Sequence, residues 1–145
     1  MERENCQKKR VVRVVAALIR SDDGRVLVTQ RKPTAFMPLR WEFPGGNVGP
    51  GESDSEALAQ ALHEELDVTV EVLDEFLAVL HEYPDFTVDF HVYNCNILDG
   101  QPKRMGVHDF RWVEPEQLES LSFPPADEPT VRKLVGLNDR DSGEC

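Results

Sequence analysis

Residues 45–68, GGNVGPGESDSEALAQALHEELDV, constrain the fold most, because a glycine-rich turn leads directly into an amphipathic helix. Ser53 and Glu56 form the Ser-x-x-Glu pattern of a capping box, which predicts that the helix begins at Ser53. Apolar residues recur at helical spacing and give this helix one apolar face: Ala57, Leu58, Ala61, Leu62 and Leu66. The helix ends in the acidic pair Glu64 and Glu65, so one segment joins a flexible turn to a concentration of carboxylates.

The remaining elements are predicted from β-branched runs, alternation and turn residues. Residues 11–20 and 25–31 predict two strands, and the SDDG turn between them predicts that they form a hairpin. Further strands are predicted at 41–43, 68–83, 86–98 and 110–113, and short helices at 114–121 and 128–137. The segments at 68–83 and 86–98 are expected to form a long antiparallel pair. With one helix inserted after the third strand, this order predicts an α/β (α+β) sandwich with a mixed β-sheet between helices.

Composition and charge are typical of a single globular domain. The chain has 145 residues, of which 40% are hydrophobic and 30% charged, and its net charge is −11. Such a chain has no basic excess to displace counterions from duplex DNA, so no nucleic-acid polymer is expected as a partner. No segment reaches the roughly 20 apolar residues of a membrane span, so no membrane association is expected. The charged N-terminus lacks a signal-peptide core, and a cytoplasmic location is predicted.

Polar segments at both ends predict flexible tails at residues 1–10 and 138–145, around one domain at 11–137. The three cysteines, Cys6, Cys95 and Cys145, lack metal-type spacing, so buried or idle thiols are expected.

The stretch from Gly46 to Val68 resembles the Nudix box, the signature G-x5-E-x7-R-E-U-x-E-E-x-G-U of the Nudix hydrolases, where U is aliphatic. Gly46, Glu52, Leu62, Glu64-Glu65 and Val68 match the pattern at its spacing. The flanking segments WEFPGG and FPPADEP, together with QR and RWVEPEQL, are similar to the MutT branch, whose members hydrolyse nucleoside triphosphates. The resemblance spans residues 11–137 and implies a Nudix fold.

The implied chemistry depends on divalent cations. A polyphosphate and this acidic chain are both anionic, and hard ions such as Mg²⁺ prefer oxygen ligands. The resemblance implies that Glu64, Glu65 and a carbonyl of the turn at Gly45 bind Mg²⁺ or Mn²⁺, and that Glu65, Glu64 and Glu52 are catalytic. Glu52 could equally serve only to orient the loop. The products expected of this branch are a nucleoside monophosphate and pyrophosphate.

The box departs from the pattern at three positions. Gln60 replaces the arginine, Ala61 replaces a glutamate, and Asp67 replaces the second glycine. Asp67 can adopt a left-handed helix cap, although at some cost. A further acid found in many relatives, before the RWV strand, is matched here by Met105 and Gly106, while His108 and Asp109 lie out of register.

Two functions follow from the missing acids. One is a slow, Mg²⁺-dependent nucleoside-triphosphate pyrophosphohydrolase acting on a normal or oxidised nucleotide. The other is a nucleotide-binding or regulatory Nudix-like domain with little turnover, since the loss of a general base alone typically costs about 10²–10⁴ in rate.

Four residues are candidates for binding the nucleotide substrate. Arg31 is expected either to contact phosphate or to form a surface ion pair, and Phe43 either to stack on the base or to pack in the core. Phe86 is a candidate for the other wall of the pocket. The resemblance places Asp127 at the base-binding position. As an ionised acceptor it would suit a guanine or cytosine edge, and protonated it could also donate. Asp127 could instead cap the last helix.

Overall fold

Seven strands form two sheets in this computed structural model, which describes residues 10–138. The strands are β1 (Arg10–Ile19), β2 (Val26–Gln30), β3 (Trp41–Glu42), β4 (Gly45–Asn47), β5 (Thr69–Glu82), β6 (Phe86–Asp99) and β7 (Asp109–Val113). The helices are α1 (Asp54–Leu66) and α2 (Glu128–Asn138), with two 3₁₀-helices at Pro115–Ser120 and Pro125–Asp127.

The larger sheet has the strand order β4-β1-β6-β5 and the smaller one β3-β2-β7. β1 and β6 are parallel from Arg10 opposite Phe86 to Ile19 opposite Cys95, whereas the other pairs are antiparallel. The predicted mixed sheet is therefore confirmed, and so is the long antiparallel pair, which consists of β5 and β6.

The predicted hairpin of the first two strands is wrong. β1 and β2 share only one isolated bridge, Arg20 to Val26, and they belong to different sheets. A strand has two hydrogen-bonding edges, and both edges of β1 are occupied, by β4 and by β6. The turn between β1 and β2 forms as expected, with Gly24 at a φ of 87°.

The glycine turn contains a short strand that the sequence analysis missed. Gly45, Gly46 and Asn47 pair with Ala16, Val15 and Val14 of β1. A Cβ atom on Gly45 would lie 2.0 Å from the carbonyl oxygen of Val15. Only glycine can therefore bring the backbone this close to β1 at that position.

Helix α1 begins as its sequence predicts. The Ser53 hydroxyl accepts the Glu56 N–H, and the Glu56 side chain accepts the Ser53 N–H, which completes the capping box. The helix ends at Asp67 in the left-handed region, with φ 59° and ψ 44°. The aspartate adopts the conformation that the family pattern gives to glycine, as expected.

The apolar face of α1 covers one face of the larger sheet. Leu58, Leu62 and Leu66 are fully buried and pack in one cluster with Val15 and Ala17 of β1. Each such leucine stabilises the fold by about 1.5–3 kcal/mol. A second cluster lies on the opposite side and joins β1, β2 and β6 to α2. Helices therefore cover both sides of the sheets, as predicted for an α/β sandwich.

The C-terminal helices differ from each other in type. The short helix predicted at 114–121 forms as a 3₁₀-helix over residues 115–120, and Pro115 stands at its start. The second predicted helix forms α2, which begins at Glu128.

Apart from Arg10 in β1 and Asn138 at the end of α2, the predicted tails lie outside the described residues. Within residues 10–138 no helix combines the length and apolar character needed to cross a membrane. Cys95 is buried in β6, and burial raises its pKa to about 12, so the expected inert thiol is confirmed there. Cys6 and Cys145 lie outside the described part.

Candidate active site

The C-terminal half of α1 carries the acidic pair. Glu64 is exposed, and its Oε2 accepts a hydrogen bond of 2.9 Å from Gln60 Nε2, one turn earlier. This contact confirms the shared face predicted for residues 60 and 64. Gln60 thus holds Glu64 without the positive charge that an arginine would bring.

Glu65 lies partly buried between the helix and the glycine turn. Burial, followed by the neighbouring charges of Glu42 and Glu64, raises the pKa of Glu65 to about 8. A backbone hydrogen bond from Gly45 offsets part of this rise. Three acidic side chains therefore lie close together, and a bound cation would favour the ionised form of Glu65.

The two positions at which acids are missing both adjoin this pair. A Cβ atom on Gly46 would lie 3.3 Å from the Cβ of Ala61, so Ala61 faces the glycine turn one helical turn before Glu65. A Cβ atom on Gly106 would lie 3.3 Å from the Cα of Glu65. Carboxylates at either position would stand beside Glu65, and this chain has none there.

The loop at 103–106 instead caps the end of α1 with its backbone. The N–H groups of Met105 and Gly106 donate to the Glu65 carbonyl at 3.1 and 3.0 Å, and that of Lys103 donates to the Leu66 carbonyl. Asp109, farther along, accepts the Phe110 N–H and lies 3.9 Å from Arg104, so it is engaged elsewhere.

The donors present suit a hard divalent ion. Glu64 and Glu65 offer carboxylate oxygens, and Gly45 can approach closely because it has no side chain. Within residues 10–138 no three acidic, histidine or cysteine side chains are grouped as a metal site. The residues therefore fit an ion that completes its shell with water and backbone oxygen, in a site poor in protein ligands.

Glu52 has a local partner. Its Oε1 accepts the Gly49 N–H at 2.7 Å, across the loop that precedes α1. The charges that raise the pKa of Glu65 are those of Glu42 and Glu64, and Glu52 is not among them. Of the two roles expected for Glu52, orientation of the loop is the one that these contacts support.

A cavity of about 530 Å³ opens beside the glycine turn. It brings together all four predicted substrate-binding residues and Gly45: Arg31, Phe43, Phe86, Asp127 and Gly45. Its volume lies within the range of small-ligand sites.

Aromatic rings form one wall of this cavity. Phe86 contacts Phe36 and Tyr83, with ring centroids 5.9 and 5.1 Å apart. Phe43 is only 2% exposed and stacks on Phe123 at 5.4 Å, so core packing occupies most of its surface. Phe36 and Tyr83 were not predicted as site residues, because Phe36 lies in a loop without a recognisable pattern and Tyr83 only ended the strand predicted at 68–83.

Arg31 and Glu42 form a partly buried ion pair within the cavity. Arg31 Nε lies 2.9 Å from Glu42 Oε1, and Arg31 Nη1 donates to the Phe36 carbonyl. Of the two roles expected for Arg31, a phosphate contact or an ion pair, the structure contains the ion pair. Sequence reasoning missed Glu42; the available signal was a lone charge between the buried aromatics Trp41 and Phe43.

Asp127 lies deep in the cavity and is 4% exposed. Burial, together with the charge of Glu42, raises its pKa well above the usual range, and Arg31 opposes this only in part. Within residues 10–138 its carboxyl group has no hydrogen bond to α2, so helix capping is not its role here. The adjacent Ala126 N–H donates to the Tyr83 hydroxyl at 3.3 Å, which ties the turn to β5.

The chain is similar to known proteins over most of its length. The chain is 33% identical over 128 residues to the 8-oxo-dGTP diphosphatase of Haemophilus influenzae, covering 88% of this chain and 93% of that protein. It is 29% identical to the CTP pyrophosphohydrolase of Escherichia coli, covering 88% and 94%. The solution structure of the Escherichia coli ORF135 protein matches with a TM-score of 0.77 at 28% identity, covering 94% of this chain and 96% of that one.

The family profile described as NUDIX domain matches residues 15–133, which include β2 to β7, the second half of β1, the acidic helix and most of the residues that line the cavity. The chain is therefore a member of the Nudix hydrolase family and belongs to its MutT-like branch.

Proposed function

We propose that the protein hydrolyses a nucleoside triphosphate to a nucleoside monophosphate and pyrophosphate, with a divalent metal ion as cofactor. One observation carries the proposal: the partly buried carboxyl group of Glu65 accepts a backbone hydrogen bond from Gly45, and Gly45 lines the cavity that holds Asp127. Phosphate chemistry and base recognition would thus share one continuous site. The named activities of the relatives in Haemophilus influenzae and Escherichia coli support the same reaction class.

Glu64, Glu65 and the Gly45 backbone would hold Mg²⁺ or Mn²⁺. When bound, such an ion shields phosphate charge and makes a bound water more acidic. The residues themselves supply the negative charge that retains the ion, while Glu52 holds the loop in shape through Gly49. No other part of residues 10–138 combines these features.

The base would be recognised at Asp127. A protonated carboxyl group donates one hydrogen bond and accepts others, whereas an ionised one only accepts. Burial favours the protonated form. One donor beside one acceptor complements the N3 and N4 edge of cytosine, and equally the O6 and N7–H edge of an 8-oxoguanine. Both substrate classes named among the relatives therefore remain within the proposal.

A nucleotide-binding domain with little turnover is the second candidate. Ala61 and the Gly106 loop favour it, because neither position supplies the further carboxylate of the family pattern beside Glu65. The cavity would be retained in either case.

The first prediction concerns turnover. Purified protein with Mg²⁺ or Mn²⁺ should release pyrophosphate from 8-oxo-dGTP, CTP or a related nucleotide. Glu65→Gln should lower kcat by at least about 10²-fold, because the charge beside Gly45 is lost. Glu116→Gln, the same change at an exposed residue of the first 3₁₀-helix, is the matched control and should leave kcat unchanged. Measurable nucleotide binding without turnover of any nucleotide would instead support the second candidate.

The second prediction concerns the missing acid at Ala61. Ala61→Glu should lower the Mg²⁺ concentration that gives half the maximal rate by about tenfold, equivalent to about 1.4 kcal/mol. The new carboxylate would stand near Gly46, one turn before Glu65. Ser55→Glu adds the same charge to the exposed first turn of α1 and serves as the control. Equal effects of both variants would mean that net charge, and not a new ligand, is responsible.

The third prediction concerns the protonation state of Asp127. Asp127→Asn keeps one donor and one acceptor, so kcat/KM should stay within about tenfold of the wild type. Asp127→Leu should lose about 10–100-fold, since a buried hydrogen-bonding group of the base is left unpaired at about 1–3 kcal/mol. If asparagine and leucine cost the same, the base is not recognised through a neutral donor and acceptor at position 127, and this part of the proposal is contradicted.

Unfolding measurements check the same point without substrate. The folded-state pKa of Asp127 is raised, so its unfavourable contribution is absent below about pH 4 and grows as the pH rises toward the folded pKa. The stability of Asp127→Asn relative to the wild type should therefore increase from pH 4 to pH 8, by at most about 1.4 kcal/mol per pH unit. A difference that does not change with pH would contradict the raised pKa.

A further inference from the structure

A polar network lies at the other end of α1, away from Glu64 and Glu65. Arg13 of β1 clamps the first residue of the helix with two hydrogen bonds, from Nε to Asp54 Oδ1 at 2.8 Å and from Nη2 to Asp54 Oδ2 at 2.7 Å. Its third nitrogen, Nη1, donates to Asp89 Oδ2 at 3.0 Å. A guanidinium that binds a carboxylate through two parallel bonds fixes orientation as well as distance.

The partners of Arg13 are themselves held by the larger sheet. The Tyr93 hydroxyl donates to Asp54 Oδ2 at 2.5 Å. His91 lies between Asp89 and Glu75, with its Nε2 2.9 Å from Asp89 Oδ1 and its Nδ1 2.5 Å from Glu75 Oε2. The network therefore links β1, β5 and β6 to the first turn of α1. The hydrogen bonds from Arg13, followed by that from Tyr93, lower the pKa of Asp54 to about 2, although burial opposes them.

The backbone of Arg13 holds the opposite end of the same loop. Its carbonyl accepts the Val48 N–H at 3.0 Å, and the residues that follow it in β1 pair with Asn47, Gly46 and Gly45. Arg13 thus holds both ends of the loop between β4 and α1. Its backbone carbonyl binds Val48 at the start of the loop, and its side chain binds Asp54 at the end. Within this loop Glu52 accepts the Gly49 N–H.

Because Arg13 holds both ends of this loop, it affects the geometry of the candidate active site. β1 determines where Gly45 lies, and the guanidinium of Arg13 determines where α1 begins. Glu65 is eleven residues beyond Asp54, about 16 Å along a rigid helix at 1.5 Å per residue. A shift or rotation at Asp54 would therefore move Glu64 and Glu65 relative to Gly45.

We propose that Arg13 is a positioning residue, which sets the placement of α1 against Gly45 and Gly46 through its clamp on Asp54 and its bond to Val48. The inference rests on the proposed function, because it concerns the same metal and phosphate site. Exposed ion pairs usually contribute little to stability. This one differs because Asp54 has only 15% of its side chain exposed, although that of Arg13 has 42%.

The experiment compares four variants of the full chain: Arg13→Met, Arg13→Lys, Asp54→Asn and Arg20→Met. Arg20→Met is the matched control, since Arg20 follows β1 directly but pairs with Asn94 and stacks on Phe76, outside the network. Affinity for Mn²⁺ is measured by electron paramagnetic resonance. Amide hydrogen exchange at Val48 and Gly49 is measured by NMR. The values of kcat and KM are determined separately from the release of pyrophosphate.

Arg13→Met and Asp54→Asn should weaken Mn²⁺ binding by about tenfold, as typical for loss of a residue that orients a ligand, and should speed exchange at Val48 and Gly49. In both variants kcat should fall, whereas the KM for the nucleotide should stay within about twofold of the wild-type value. The reason is that Arg13 does not act on the base cavity through this clamp. Arg13→Lys should restore part of the loss, since it keeps the charge without the paired bonds. Arg20→Met should change none of these quantities.

Unchanged Mn²⁺ affinity or unchanged amide exchange in Arg13→Met would overturn the proposal, and so would an equal response to Arg20→Met. If Arg13→Met does not fold, Asp54→Asn decides by the same criteria. Absence of Mn²⁺ binding or turnover in the wild type would refute the proposed function instead. The amide exchange at Val48 and Gly49 would still decide whether Arg13 holds the loop.

Discussion

The carboxyl group of Glu65 is held partly buried against the backbone of Gly45, and the other features of the site depend on this contact. It requires a glycine, because a Cβ at position 45 would collide with the Val15 carbonyl. It also requires that α1 end beside the turn, which the apolar face of Leu58, Leu62 and Leu66 secures. Burial, followed by the charges of Glu42 and Glu64, raises the pKa of Glu65 there to about 8. A divalent cation that binds both carboxylate and phosphate oxygens would allow such a site to bind an anionic polyphosphate.

The site also explains why an alanine and a glutamine stand in an otherwise acidic helix. Gln60 orients Glu64 through one hydrogen bond, and Ala61 leaves room next to Gly46. The fold, the glycine turn and the base cavity are retained, whereas the number of carboxylate ligands is reduced. Under the proposed function, the chain would keep the residues that place the nucleotide but would hold the metal ion with fewer carboxylates than the full signature provides.

Local patterns predicted the local structure well. Capping at Ser53 and Glu56 and the left-handed end at Asp67 depend on neighbouring residues alone, and both formed as expected. The grouping of Arg31, Phe86 and Asp127 in one cavity came from the resemblance, not from periodicity. The predictions that were wrong concern contacts between residues that are distant in sequence. β1 pairs with β4 and β6 and therefore does not form a hairpin with β2. β4 was missed because it depends on pairing with β1. Glu42 was missed because its importance arises from Arg31, Glu65 and Asp127, which are brought to it by folding.

The central claim is that this acidic protein binds polyphosphate only through a divalent cation. Calorimetric titration with a non-hydrolysable nucleoside triphosphate tests it directly, once with excess Mg²⁺ and once with a chelator, at matched ionic strength. We expect clear binding with Mg²⁺ and a loss of affinity of at least about tenfold, or about 1.4 kcal/mol, when the ion is removed. Equal affinity under both conditions would contradict the account, since the nucleotide would then be held by the cavity alone.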